Sequence, residues 1–364
     1  MRSPGNIVCF AALALIGCGE QVGNPQLPDA TSGTRNIEAL LVKHDIPGLA
    51  VGYIDDCKAV RTEVFGLTGD DGASPVTQRT AFEAGSVTKP VFAHLVMEQV
   101  ERGLIDLDAP LADTFAYPRL SDQGAYRTLT LRQILSHRSG LPNWAGNSGD
   151  PDRQDPIPSL APPDQGFHYS GEAYWLAEQY VEATTGQSFA DLFQTSLGEV
   201  MPLSTPIDAP APGAEMSRGH FKNGRSRRLA ARASSNAAFS LQTVITDFAN
   251  YAALICDGGK LKSATYEEML TPVTRVKGDE YGGDPSTMNG EISYGLGWSI
   301  LENDGRRVYF HGGTTGAYEA FAAFDPTTRN GYVFLANSGH GLDLVEELAP
   351  DNLGDLSAIE IWFN

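Results

Sequence analysis

The sequence predicts an α+β fold, an antiparallel sheet completed by both chain ends, flanked by helices and carrying a helical insertion. Three observations predict it. β-rich runs stand near both ends of the globular part, over 48–65 and 295–336, and strands so placed complete one sheet from two directions. Helical patterns separated by Pro-rich loops fill the middle. Short Asn, Asp and Gly turns join the late strands, which implies an antiparallel meander. Strand runs segregated from helix runs mark an α+β domain.

The elements follow in order. Residues 35–46 read as a helix. Gly48–Ile54 and Ala59–Phe65 read as a hairpin, because Asp55-Asp56 between them is turn chemistry. Residues 86–102 place Val87, Val91, Leu95, Val96 and Val100 at helical spacing and stop at Gly103, as a helix C-terminus does. Further helices are expected at 129–137, 171–185, 188–197 and 243–256. The segment 142–168 is rich in Pro and Asp, and so long a loop is either functional or disordered. Strands then dominate over Gly295–Leu301, Arg307–Phe310, Tyr318–Phe324 and Gly331–Ala336, joined by turns such as Asn303-Asp304-Gly305. A last helix is expected over about 342–362, and the helical insertion over about 110–235. No internal repeat is present.

Composition narrows the partners. The net charge is −19, and so acidic a chain repels phosphate backbones, which argues against nucleic acid. There is no CxxC pair, no HExxH and no His cluster of ligand spacing, so neither metal nor cofactor is expected. The oligomeric state is not legible.

The first residues read as a targeting segment. Arg2 precedes an apolar run, Ile7–Gly17, too short to span a bilayer but suited to a signal-peptide core. It ends in Leu15-Ile16-Gly17-Cys18, which resembles the lipobox of bacterial lipoproteins. The competing reading is an ordinary signal peptide with an incidental Cys. The resemblance implies a signal peptide over 1–17, a lipidated Cys18 and a flexible tether over 18–34, rich in Gly, Pro, Asn and Ser. The globular domain is then 35–362. Gly19 rather than Asp follows Cys18, which by the same resemblance favours the outer membrane, with the domain facing the periplasm or exterior. Cys57 and Cys256 remain, in an oxidising compartment. Their separation leaves open whether they pair.

The chemistry concentrates at Ser86-Val-Thr-Lys89. If a helix starts at Ser86, the two side chains share one face. A Lys one turn from a hydroxyl can take its proton once burial lowers the amine's pKa. Ser-x-x-Lys alone is a weak motif, since a capping Ser on a surface helix gives the same pattern.

The surrounding sequence is more specific. Phe82-Glu-Ala-Gly-Ser-Val-Thr-Lys-Pro90 with Gly103-Leu-Ile-Asp-Leu-Asp-Ala-Pro110 resembles the serine β-lactamase and penicillin-binding protein superfamily. The likeness is to its class C-like branch, which includes family VIII-type esterases and D-amino-acid peptidases. It continues through Leu129–Pro142, Phe167-His-Tyr-Ser-Gly171, Ala183–Phe189, Met201-Pro-Leu203, Tyr294-Gly-Leu-Gly-Trp298 and His311-Gly-Gly313, and so runs from about 36 to 362. The resemblance implies Ser86 as the nucleophile forming an acyl-enzyme and Lys89 as its activating partner. Tyr169 stands at the family's Tyr-x-Asn position, implying a general base and then acid. His311, Gly312 and Gly313 occupy the family's Lys-Thr-Gly strand. The Ser86 and Thr314 N–H groups are then the implied oxyanion hole. His137 and His168 are read as structural.

Two departures stand out. The family's Asn is Gly171 here, and its strand Lys is His311. Both losses favour a carboxylesterase acting on a small or medium acyl ester over a β-lactamase or a D-Ala peptidase. A peptide-like substrate is the alternative. In another class, the chain could be a non-catalytic lipoprotein that binds peptidoglycan or a partner protein. The anchor is directly testable. Each acyl CH₂ contributes about 0.8 kcal/mol of membrane affinity, so Cys18→Ser should move the protein from the membrane to the soluble fraction. An unmodified Cys18 by mass spectrometry would exclude lipidation.

Overall fold

A computed structural model describes residues 36–69, 73–146, 155–206, 213–228, 234–277, 280 and 282–363. The expected signal segment, Cys18 and the 18–34 tether lie outside these residues.

The main sheet has eight strands: β1 (Gly48–Asp55), β2 (Lys58–Gly66), β3 (Thr274–Arg275), β4 (Glu291–Tyr294), β5 (Ser299–Asn303), β6 (Arg306–Thr314), β7 (Glu319–Asp325) and β8 (Asn330–Ala336). Their spatial order is β2-β1-β8-β7-β6-β5-β4-β3, with every pairing antiparallel. The first hairpin therefore docks on the last strand, with Leu49 opposite Ala336 and Ile54 opposite Gly331. Both chain ends do complete one sheet.

The middle of that sheet is buried on both faces, while the edge strands β2 and β3 are exposed or half-buried. Along β7 and β8, Ala320, Ala322, Phe324, Val333 and Leu335 face one core, and Phe321, Ala323, Tyr332 and Phe334 the other. This is the period-2 alternation of a strand, with apolar residues at both phases because neither face meets water. The first core includes the helices α2 (Thr88–Glu101) and α6 (Ile245–Cys256). A Cβ added to Gly52 on β1 would lie 2.8 Å from the Ala249 Cβ, so α6 rests close on the sheet. The second core joins α1 (Ile37–Lys43) with the C-terminal segment through Ile37, Leu41, Leu344, Val345 and Ile359.

Helix α2 follows a 3₁₀ turn at Gly85–Val87 and is buried on nearly every side, so its apolar pattern is that of a core helix. The region after it is largely helical, with α3 (Leu131–Leu135), α4 (Gly171–Thr185) and α5 (Phe189–Leu197). Short strands within the expected insertion depart from a purely helical reading. Glu215–Met216 pairs with Thr80–Glu83, and Arg218–His220 pairs with Ser226–Arg228.

Three expected elements change. The strand at 295–301 begins only at Ser299, because Gly297 adopts a left-handed φ of 88° and a Cβ there would lie 2.4 Å from the Ala93 Cβ of α2. The missed β4 pairs with β5 across that turn. The helix at 342–362 is four short pieces ending in α8 (Ser357–Phe363). Pro350 cannot donate an amide and disfavours helix at the residue before it, and Gly354 at φ 80° turns the chain. The helix at 129–137 shrinks to α3, which a Thr130–Gln133 capping box starts and His137 at φ 56° ends. Helix α7 (Ser263–Leu270) was not expected.

Cys57, in the β1–β2 turn, is bonded to Cys256 at the end of α6, with Cα atoms 5.3 Å apart. The bridge joins the sheet's edge hairpin to the helix that covers it. Closing a loop of 199 positions restricts the unfolded chain strongly, so replacing both cysteines by Ala should cost about 2–5 kcal/mol. Urea unfolding with and without reductant measures it. An unchanged midpoint would mean the bridge adds no stability.

Candidate active site

The site is built where two backbones touch. Strand Thr80–Glu83 leads into the turn carrying Ser86, and β6 runs past that turn. A Cβ on Gly313 would lie 2.0 Å from the Ala84 carbonyl oxygen and 2.9 Å from the Ser86 nitrogen. A Cβ on Gly85, itself at φ 53°, would lie 2.8 Å from the Thr314 nitrogen. Only glycine permits this approach from either side. It brings the N–H-bearing backbone of Ser86 beside that of Thr314. Thr88 fastens the turn, its Oγ1 donating to the Gly85 carbonyl at 2.7 Å and accepting from the Leu241 N–H at 2.9 Å.

Lys89, one helical turn on, is 1% exposed. Its Nζ lies 3.1 Å from Ser86 Oγ and donates to the Ala238 carbonyl at 2.8 Å. It also sits 4.7 Å from the Tyr169 ring centroid and 5.6 Å from that of Tyr174. Burial pushes the Lys89 pKa well below its ordinary value, as expected for an ammonium taken from water without a carboxylate partner. Burial likewise pushes the Tyr169 phenol up, while its hydrogen bond with Ser86 acts the other way. At neutral pH the trio therefore holds a hydroxyl, an amine biased toward neutrality and a phenol. Ser86, Lys89 and Tyr169 are brought together, the first two by their spacing on one turn and the third where the family resemblance implied.

His137 braces Tyr169. Their rings lie 4.2 Å apart, the Ser170 N–H donates to His137 Nδ1 at 3.1 Å, and the His168 N–H donates to the His137 carbonyl at 2.7 Å. Burial first, then Lys89 and His311, hold its imidazole far below the ordinary value. His311 on β6 is 3% exposed. Its Nδ1 faces the Gly312 carbonyl at 2.7 Å and so carries the hydrogen, leaving Nε2 to accept from the Tyr294 hydroxyl at 3.0 Å. Burial, reinforced by Lys89, pushes its pKa down to about 3. His311 is neutral.

Around Ser86 lies a cleft of about 600 Å³. His311, Gly312, Gly313 and Thr314 form one wall, and the rings of Trp144, Phe167, Phe239, Trp362 and Phe363 form much of the rest. Arg227 also lines it, but its guanidinium is engaged. Nη1 and Nη2 donate to the two carboxylate oxygens of Glu83 at 2.8 and 2.5 Å, and Nη2 donates to Thr315 Oγ1 at 2.9 Å. This fork ties the strand before Ser86 to the residue after Thr314.

Sequence reasoning missed Arg227, Trp144 and Glu178. A carboxylate at Glu83, three residues before Ser86, was a signal for the first, since a buried charge needs a partner. Glu178 on α4 accepts from the Ala237 N–H at 2.5 Å and from Ser235 Oγ. It thereby fixes the segment whose next residue, Ala238, holds Lys89.

Comparison with known proteins finds relatives along most of the chain. The model of the Beta-lactamase family matches residues 34–353. Penicillin-binding protein 4 of Amycolatopsis lactamdurans is 25% identical over 359 residues, covering 89% of each chain. Esterase EstB of Burkholderia gladioli is 38% identical over 81 residues, 22% of this chain and 20% of that one. Among solved structures, a class C beta-lactamase superposes with a TM-score of 0.70 at 21% identity, over 88% of this chain and 94% of that one.

Glu178 gives the site a measurable pH signature. Burial pushes its carboxyl up to about 7 from an ordinary 4.5, against the hydrogen bonds from Ser235 and Ala237. The folded protein therefore favours the protonated acid. The stability this gives is complete below about pH 4.5 and is lost as the pH rises through 7. Glu178→Gln keeps an acceptor for the Ala237 N–H and removes the titration. The variant should gain roughly 3 kcal/mol on wild type between pH 4.5 and a pH above 7. Urea unfolding across that range checks this, and a pH-independent difference would rule out a titrating Glu178.

Proposed function

The chain belongs to the beta-lactamase family and is a serine hydrolase of that family, and within it we propose a carboxylesterase that works through an acyl-enzyme on Ser86. The observation that carries the ester preference is His311. β-Lactam-processing members resembling this chain place a Lys there, beside the lactam's carboxylate. Here the side chain is buried and neutral, with its pKa pushed down to about 3. A charge-assisted contact contributes about 1.5–3 kcal/mol, and His311 offers none. Arg227, held by Glu83 and Thr315, is no ready substitute.

The second missing contact is the side-chain amide at Gly171. The neighbouring Ser170 hydroxyl is committed elsewhere. Ser170 Oγ donates to the Pro142 carbonyl at 2.8 Å and accepts from the Ala173 N–H at 2.9 Å. Asn143 Oδ1 accepts from the Gly171 N–H at 3.0 Å, which leaves the Nδ2 of this cleft-lining residue as a side-chain amide donor. A simple ester needs neither lost contact. The 38% identity of the segment shared with an esterase supports the same reading.

In the mechanism we assign, Ser86 Oγ attacks the ester carbonyl as its proton passes to Lys89 Nζ, 3.1 Å away. The pKa directions favour Lys89 over Tyr169 as the base, since a lowered amine can accept a proton and a raised phenol arrives carrying one. The tetrahedral oxyanion faces the Ser86 and Thr314 N–H groups. Tyr169 protonates the departing alkoxide and is reprotonated from Lys89. Water then attacks the acyl-enzyme by the reverse relay, freeing the acid and restoring Ser86.

Turnover and labelling together test this. Fluorophosphonate should label wild type and not Ser86→Ala, which should lose on the order of 10⁶ in kcat. Lys89→Ala and Tyr169→Phe should be nearly as damaging, with losses that do not add, because the three act as one unit. On wild type, kcat/KM for p-nitrophenyl butyrate should exceed that for nitrocefin and a D-Ala-D-Ala peptide. The reverse order replaces the esterase with a lactamase or peptidase. Absence of labelling and turnover leaves a binding protein.

A further inference from the structure

We propose that the cleft selects uncharged esters bearing a flat aryl group, and that Trp144 determines this selectivity. The inference rests on the esterase reading above and names its substrate class.

It starts from a reciprocal fit between two residues. A Cβ added to Gly171 would lie 2.4 Å from Trp144 Cζ2, 2.6 Å from Cη2 and 2.9 Å from Cε2. The indole thus occupies the volume that any side chain at 171 would need. Gly171 is not merely a missing amide: its bareness admits an aromatic plate two positions from Tyr169. Trp144 comes from the Pro-rich loop and meets Phe239 edge to face, with centroids 5.5 Å apart at 76°. Both rings are partly buried and line the cleft that contains Ser86.

Further rings reach the same cleft from other parts of the chain. Phe363 lies on β6, where a Cβ on Gly312 would be 2.4 Å from its Cζ. It stacks on Trp362 at 5.6 Å and 11°, and Trp362 meets Phe167 at 6.2 Å. Aromatic surfaces supplied by the loop, the segment before Tyr169, the Phe239 turn and α8 therefore enclose the reacting hydroxyl. Such faces recognise a flat apolar ring by stacked or edge-on contact. The charges nearby do not favour an ionic substrate. His311 is neutral, and the Arg227 guanidinium is engaged by Glu83 and Thr315.

The test uses the wild-type protein and four plain esters, then two variants. Methyl phenylacetate and benzyl acetate are isomers that carry the ring on the acyl or the alcohol side. At least one should be hydrolysed with kcat/KM about tenfold or more above ethyl acetate, a discrimination within reach of an apolar pocket. Methyl cyclohexylacetate, apolar but not flat, should fall below methyl phenylacetate or benzyl acetate, whichever is preferred. Trp144→Ala should shrink the aryl-to-ethyl ratio toward one, and Trp144→Phe should retain part of it. If wild type cleaves ethyl acetate as well as both aryl esters, or the cyclohexyl ester equally well, the aryl selectivity is overturned while the esterase reading stands. If the ratio survives in Trp144→Ala, Trp144 is not the determinant. If no ester is cleaved, it is the esterase reading that fails. The wild-type comparison needs no variant to fold.

Discussion

The contact between the Ser86 turn and β6 governs the molecule. Two backbones cannot approach as these do if either carries a Cβ, and the chain supplies Gly85 on one side and Gly313 on the other. Everything around them keeps the approach in register. Thr88 ties the turn to Leu241, and Arg227 ties Glu83 to Thr315. The β1–β8 pairing and the two cores hold the sheet that carries β6. The result is that the backbones of Ser86 and Thr314 stand side by side.

Electrostatics follow from the burial this packing imposes. Lys89 has a serine and a carbonyl for neighbours and, among the described residues, no carboxylate at its ammonium, so desolvation dominates its pKa. His137 and His311 are kept neutral beside it by burial. At neutral pH the site thus holds two neutral imidazoles and a phenol beside an amine that burial biases toward its neutral form. That suits an uncharged substrate and a transition state whose new charge meets fixed dipoles.

Legibility tracked the range of the interactions. Helix α4 was read to the residue, because its signals are local: Ser170 accepts at the N-cap and Gly186 closes it at φ 70°. The strands β6, β7 and β8 were found because their composition betrays them. The failures needed long-range information. Gly297 looks like a strand residue until α2 is packed against it. Pro350 is itself a local signal that the last helix stops. Ser86, Lys89 and Tyr169 could be picked out because each lies in a recognisable short motif. Trp144 could not, since nothing in a loop announces which empty volume it will fill. The Cys57–Cys256 bond was undecidable for the same reason, its ends being 199 positions apart.

The β1–β8 pairing has a consequence for how the molecule reaches its working form. Leu49 lies opposite Ala336, so nearly the whole described chain must be gathered before the sheet closes. Contacts of such separation are slow to form, because loop-closure entropy is lost before they return any free energy. Helix α4 and its neighbours can order early from local signals. The Ser86 turn and β6 belong to distant stretches of chain and meet only when the topology is nearly complete. The surroundings of the Ser86 hydroxyl are therefore assembled among the last features of folding, and partly folded chains carry the parts of the site unjoined.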